Sequence, residues 1–212
     1  FRLEEIVKLL VRKYMRSNKQ ENLCLAGGVH MNCKLNGELS KLSEVKNIFI
    51  QPASSDNGVS LGAAIILAKK HEAKKFTKLD NVYYGPEFSN KEILASIKEA
   101  KLNFRKSNNI FFETAKYLSN GKIVGWFQGR SEVGARALGN RSILANPMIG
   151  NMRYKLNKEV KHRELWRPFC PSVNDTHFKE YFKDCSDSPY MILALPVKEY
   201  YRKKFDSSVH ID

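Results

Sequence analysis

The sequence predicts an α/β protein, and three observations carry that prediction. Hydrophobic residues alternate between helical and strand periods over the first eighty positions. A polar connector follows, and a second helix–strand series runs on beyond it. The predicted organisation is one α/β segment at 1–80, a connector at 81–90 and a second α/β segment at 91–212.

Leu3, Ile6, Val7, Leu10 and Tyr14 form a helical stripe over residues 3–15. Asn22–Ala26 is a short apolar strand running into Gly27-Gly28, and 31–43 reads as a helix. Val45–Ile50 is a second strand, ended by Gln51-Pro52 and the polar loop 53–58. Val59–Lys70 is a helix rich in Ala, Leu and Ile, with Gly62 permitting close packing. Residues 71–79 are charged, and 80–90 carry Gly85-Pro86, which marks the connector. Helices are expected near 90–101 and 109–119, a strand at Ile123–Phe127, another at Ser142–Ala145 and a helix over 150–159. Arg167–Val173, with two prolines, should be extended, and 189–197 has the composition of a core strand.

Composition narrows the function classes. No apolar run approaches the ~20 residues a membrane-spanning helix needs. The net charge of +14, from 36 Lys+Arg against 22 Asp+Glu, raises nucleic-acid binding as a possibility. The basic positions lack interleaved aromatics, however, so lysines such as Lys69, Lys70, Lys74, Lys75 and Lys78 read as solvated helix faces. Cys24, Cys33, Cys170 and Cys185 show no C-x-x-C spacing and read as buried, reduced thiols in a cytoplasmic protein. The chain opens at Phe1 without an initiator Met and ends without a terminating signal, so it reads as an interior piece of a longer polypeptide.

Four stretches carry chemistry. Residues 129–142 hold Arg130, Arg136 and Arg141 among Gly129, Gly134 and Gly139, directly after a strand. Glycine lets the main chain approach a ligand, and the guanidinium fork fits phosphate or carboxylate oxygens. A second basic cluster, Lys158, Lys161, Arg163 and Arg167, sits beside Trp166 and Phe169. The aromatic neighbours imply partial burial, which asks for an anionic partner. Together these segments point to a polyanionic ligand such as ATP or an acyl phosphate. Gly27-Gly28, between strand and helix, exposes backbone N–H groups at a helix start, with Asn32 and Asn36 within reach of a ribose or phosphate; a plain tight turn needs the same glycines. Asp56 lies where ligands of open α/β sheets bind, yet the sequence alone favours a helix N-cap. No H-x-x-H or H-x-x-x-H pair accompanies it.

At these residues the chain resembles the O-carbamoyltransferase family of nodulation-factor and antibiotic-tailoring enzymes (NodU/CmcH type). The resemblance runs through Leu25-Ala26-Gly27-Gly28-Val29 with Asn32, Gln51–Gly58 with Leu61-Gly62-Ala63-Ala64, and Tyr84–Ser89. It continues in Gly125–Arg130, Ala135–Ala145 and Val160–Phe169. It implies a fragment spanning the end of an actin/sugar-kinase-like (ribonuclease H-like) carbamoyltransferase domain and the start of a YrdC-like domain that forms carbamoyl-adenylate.

The implied reaction activates carbamoyl phosphate with ATP and passes the carbamoyl group to a hydroxyl of a sugar or natural product. A divalent metal, iron in most such enzymes and magnesium as the other choice, sits beside the transfer. Carried over residue by residue, the resemblance gives Arg136, Lys161 and Arg167 the carbamoyl phosphate and ATP phosphates, with Arg130, Arg141 and Arg163 as helpers. Gly27, Gly28 and Asn32 would lie near the nucleotide, and Asp56 would bind the metal. Kinship with threonylcarbamoyl enzymes keeps a tRNA-modifying, RNA-binding module as the alternative. Two departures stand out: Ala135 replaces a proline usual in the Gly-Pro-Arg-Ala-Leu-Gly motif, and the family's His-containing metal motif and acceptor elements lie upstream of anything here.

Overall fold

The first helix, α1 (Arg2–Asn18), has Glu4 and Glu5 in its first turn and Arg16 in its last, which complements the helix dipole. The computed structural model describes residues 2–71, 79–183 and 187–210. Lys74, Lys75, Lys78 and Cys185 lie outside the described residues. The chain divides into two compact units. One comprises Phe1–Tyr84, Glu132–Leu138 and Ser186–Leu195, and the other Gly85–Ser131, Gly139–Cys185 and Pro196–Asp212.

In the first unit, β1 (Asn22–Leu25) and β2 (Asn47–Ile50) pair in parallel, with Asn22 opposite Asn47 and Leu25 opposite Ile50. The crossover is a single 3₁₀ turn, Gly28–Met31, followed by α2 (Cys33–Ser40). Leu35 and Leu39 of α2 are fully buried. They centre a core completed by Met15, Leu25, Leu42, Val45, Ile50 and Ile192. Helix α1 turns Val7, Val11 and Met15 toward that core, at the i, i+4, i+8 spacing of one face. The predicted helix is present, but the buried stripe is not the predicted one. Of the predicted stripe only Val7 packs on the core, and Leu3, Ile6, Leu10 and Tyr14 are exposed.

Helix α3 (Asn57–Lys70) forms as expected from its composition, yet none of its residues is buried and nothing lies near Gly62. The thiols also depart from expectation. Cys24 and Cys170 are exposed and Cys33 is partly buried. Strand alternation explains the first, since Leu25 points inward and Cys24 therefore points out.

Residues 189–197 do not form the predicted core strand. Met191 adopts φ 55°, which breaks the extended run, and Pro189 and Pro196 offer no N–H to a ladder. The segment instead docks on α2. Ala194 N–H donates to the Cys33 carbonyl at 3.0 Å, and Ile192 is buried in the core. Contact with the helix is so close that a Cβ on Gly37 would sit 2.4 Å from the Ala194 carbonyl oxygen, which demands glycine there. Only Val197, in the second unit, makes a strand-like bridge, to Phe182.

The second unit begins with α4 (Asn90–Glu99), closed by a reciprocal Ser89–Glu92 capping box, and α5 (Ile110–Ser119), capped by the Asn109 side chain. Strand β3 (Val124–Phe127) pairs antiparallel with β4 (Arg141–Leu144), Phe127 opposite Arg141. The helix predicted over 150–159 is shorter and irregular. A single turn, α6 (Met152–Lys155), runs into a π turn at Leu156–Lys161, and His162 follows at φ 49°, ψ 50°. Residues 167–173 carry no helix or strand. Short helices α7 (Phe178–Tyr181) and α8 (Glu199–Arg202) complete the unit. No helix among the described residues is long and apolar enough to cross a membrane.

Candidate functional site

In the first unit, three of the sequence features meet at the carboxyl ends of β1 and β2, where ligands of α/β sheets bind. The β1 end turns through Gly27, at φ 97°, into the 3₁₀ turn. Asn32 caps α2, its side-chain oxygen accepting from Leu35 N–H at 3.1 Å. Loop 132–138 is tied down by Val133 N–H donating to the Val82 carbonyl at 2.8 Å and Tyr83 Oη donating to the Leu138 carbonyl at 2.8 Å. From that loop Arg136 Nη2 donates to the Met31 carbonyl at 3.0 Å, the last residue of the 3₁₀ turn. Gly134, at φ 114°, approaches the β2 end. A Cβ there would stand 3.0 Å from the Pro52 carbonyl oxygen. Arg136 is thereby held between the Gly27-Gly28 turn and the loop that carries Asp56.

Asn36 does not reach toward a ligand as the sequence reading allowed. Its side chain is 0% exposed, and Nδ2 donates to the carbonyls of His30 at 2.8 Å and Ile192 at 2.9 Å. Oδ1 faces His30 Nδ1 at 3.1 Å, which makes the ring nitrogen the donor. This amide holds the fold.

Asp56 occupies the N-cap position of α3 but does not cap it. Its backbone is already helical (φ −52°, ψ −25°), and its side chain accepts no hydrogen bond from the helix. The carboxylate is exposed. Two residues earlier, Ser54 is only 4% exposed and its Oγ has no hydrogen-bond partner among the described residues. An orphaned buried hydroxyl calls for a partner beyond these groups. Asp56 and Ser54 together therefore fit the edge of a ligand or metal site. No group of three or more His, Cys, Asp or Glu gathers among the described residues, so these residues offer Asp56 at most as a single donor.

In the second unit, Arg141 organises the β3–β4 turn. Nη1 donates to the carbonyls of Gln128 at 2.7 Å and Asn140 at 3.1 Å, and Nη2 to those of Gly129 at 3.1 Å and Pro86 at 3.3 Å. Its guanidinium carbon lies 3.6 Å from the Phe127 ring centroid. The carbonyl of Arg130 is fixed by Asn140 Nδ2 at 2.7 Å, and the Arg130 residue is exposed.

Arg163 and the Arg167 main chain come together on Asn157, which lies in the stretch expected to be an ordinary helix, whereas the Lys161 side chain makes no hydrogen bond or ion pair with them. Asn157 is 0% exposed. Its Nδ2 donates to the carbonyls of Leu165 at 3.2 Å and Arg167 at 2.9 Å, and its Oδ1 accepts from Arg163 Nε at 2.7 Å. The Arg163 guanidinium also lies over Phe169, 4.8 Å from the ring centroid. Burial, and then the nearby charge of Arg167, push the Arg163 pKa down, though a guanidinium stays charged at neutral pH. Arg167 Nε pairs with Glu164 at 2.8 Å. Lys161, the last residue of the π turn, is exposed. His162 then adopts a left-handed conformation that costs a non-glycine residue about 1–2 kcal/mol. Such strain, like a π turn, concentrates at functional sites. The signal for Asn157 was its place at the head of the basic segment; its burial left no periodic trace.

Comparison with known proteins shows the family of the chain. The family description "Carbamoyltransferase N-terminus" matches residues 2–65, and "Carbamoyltransferase C-terminus" matches 115–212. The chain is 36% identical over 217 residues to Nodulation protein NolO of Bradyrhizobium diazoefficiens, covering 99% of this chain and 40% of the relative. It is 33% identical over 192 residues to Nodulation protein U of Rhizobium tropici, covering 90% and 32%. A Synechocystis protein without an assigned function is 41% identical over 191 residues, covering 86% and 31%. The chain thus spans between about a third and two-fifths of the length of these relatives.

Proposed function

Because the chain belongs to the carbamoyltransferase family, carrying stretches of both its N-terminal and C-terminal parts, we propose that the full-length protein is an O-carbamoyltransferase that activates carbamoyl phosphate with ATP. The acceptor is a hydroxyl of a sugar or natural product. In this reading residues 1–80 belong to an actin/sugar-kinase-like carbamoyl-transferring domain and 91–212 to a YrdC-like activating domain. ATP and carbamoyl phosphate as substrates, together with free thiols, favour a cytoplasmic protein.

The observation that carries the proposal is the Asn157 cluster, which binds Arg163 and the Arg167 main chain on a strained turn that Lys161 opens. In the balanced reaction, carbamoyl phosphate, ATP and water give carbamoyl-adenylate, phosphate and pyrophosphate. Negative charge accumulates on the oxygens that depart. Lys161 and Arg167 supply fixed cations for those oxygens, and cations set in place before the reaction lower its barrier without moving a proton. In the first unit, Arg136 offers the guanidinium nitrogens not engaged with Met31 to the same class of anion, beside the backbone of Gly27, Gly28 and Asn32. Arg141 and Arg163, whose donors hold carbonyls and Asn157, support the turns, and Arg130 stands at the edge of the loop. A bound metal would supply Lewis acidity at the transfer step, with Asp56 as the ligand from this chain.

The test is carbamoyl phosphate-dependent release of pyrophosphate from ATP by the full-length protein. Release is expected. ATP binding without release would make the protein a nucleotide-binding relative of sugar kinases that performs no turnover. The charge of +14 keeps tRNA as a competing ligand, and a tRNA affinity falling steeply with salt, without pyrophosphate release, would favour that alternative. For the metal, Asp56→Ala should strip most of the metal that co-purifies with the full-length protein, as measured by elemental analysis. Undiminished metal content would remove Asp56 from the ligand set.

A further inference from the structure

We propose that Asn157 is the positioning residue of the activating site: it clamps the turn 161–167, so that Lys161 and Arg167 meet phosphate oxygens from a backbone already set. The inference rests on the reading of those two side chains as phosphate contacts.

Four residues of the turn close on this one asparagine. The N–H groups of His162 and Arg163 both donate to its backbone carbonyl, the latter at 3.0 Å. The carbonyls of Leu165 and Arg167 both accept from its Nδ2, and Arg163 Nε donates to its Oδ1. All the hydrogen-bonding capacity of a buried amide except one lone pair is thereby directed at a single turn. That density is more than a surface turn needs, and it has two opponents to hold against. One is the left-handed backbone at His162, which persists only where its surroundings over-determine it. The other is the mutual repulsion of Arg163 and Arg167, only partly offset by Glu164. Released from Asn157, the turn would relax toward ordinary helix or coil. Lys161, immediately before His162, and Arg167, whose own carbonyl is gripped, would then lose their common setting. The broad i→i+5 turn at 156–161 is what lets an inward-pointing Asn157 face a loop beginning only five residues later.

Asn157→Asp keeps the shape and the acceptor for Arg163 but removes both donors to Leu165 and Arg167. Asn157→Ala removes everything. Each is compared in the full-length protein with Lys161→Ala, with Arg167→Ala and with the combined variants. The readouts are kcat/KM for carbamoyl phosphate-dependent pyrophosphate release, melting temperature, and hydrogen exchange of the peptide covering 158–168. With Asn157→Asp we expect faster exchange confined to that peptide and a fall in kcat/KM of about tenfold or more. In the Lys161→Ala/Arg167→Ala background the same change should cost almost nothing further, because a positioning residue acts through the groups it positions.

Unchanged exchange in 158–168 would overturn the inference. So would a loss that multiplies in full with the Lys161 and Arg167 losses, since that marks a general destabilisation. Should Lys161→Ala and Arg167→Ala both leave turnover intact, the reading of the site would fall first and the positioning role with it. The Lys161 and Arg167 arms thus report on the reading, and the Asn157 arm on the inference.

Discussion

Lys161→Ala in the full-length protein is expected to lower kcat/KM for carbamoyl phosphate-dependent pyrophosphate release by about 10²–10³-fold, the loss typical of one preorganised charge aimed at a developing anion. The melting temperature should hardly change. Lys161 is exposed, and among the described residues its ammonium makes no hydrogen bond or ion pair, so its removal costs the fold nothing. Its neighbours differ: Arg163 is bound to Asn157 and stacked on Phe169, and Arg167 is paired with Glu164. Lysine also suits the task, because a compact ammonium on a flexible stem can follow a phosphate oxygen as its charge builds. Lys161→Arg keeps the charge but brings a planar fork, and should recover only part of the activity. A Lys161→Ala enzyme within about threefold of wild type would remove this residue from the site.

Much of this arrangement was legible in the sequence because it is local. Helix α1, the β1–α2–β2 crossover, α3, α4, α5 and β3 follow from hydrophobic period and capping residues within a few positions of one another. What the sequence concealed is what distant parts of the chain decide. Arg136 was recognisable as an anion-binding type of residue, but its grip on the Met31 carbonyl spans 105 positions and leaves no pattern. The stretch 189–197 has the apolar content of a strand and docks on α2 instead, because Gly37 lets its backbone come close. Asn32 and Asn36 look alike on paper. The structure makes one a helix cap and buries the other, and no local spacing separates them. Asn157 was hidden for a similar reason, since a π turn preserves a helical sequence pattern while redirecting the side chain.

Asn36→Ala is expected to produce the largest loss of stability in the first unit. The substitution leaves the carbonyls of His30 and Ile192 and the His30 ring N–H without their partner, in a buried spot for Ile192 and a part-buried one for His30. Each orphaned group costs about 1–3 kcal/mol, so the three together cost roughly 3–9 kcal/mol, a large share of the 5–15 kcal/mol that holds a typical domain. Asn36→Leu fills the volume but leaves the same three groups unpaired, so it should fare little better. Asn36→Asp is worse placed still, since a carboxylate cannot donate to two carbonyls and would be buried charged or protonated at a cost. A clear fall in the melting temperature of the full-length protein is the expected reading, because a larger chain spreads the same loss over a larger unfolding entropy but does not cancel it. An unchanged melting temperature with weakened nucleotide binding would instead return Asn36 to the ligand-contacting role its sequence position allowed. The damage should also appear at the site itself. Asn36 links Ile192, 156 positions away, to His30 inside the Gly28–Met31 turn, and that turn presents the Met31 carbonyl to Arg136. Hydrogen exchange should therefore rise in 28–32 and in 190–195 together, because one amide closes both.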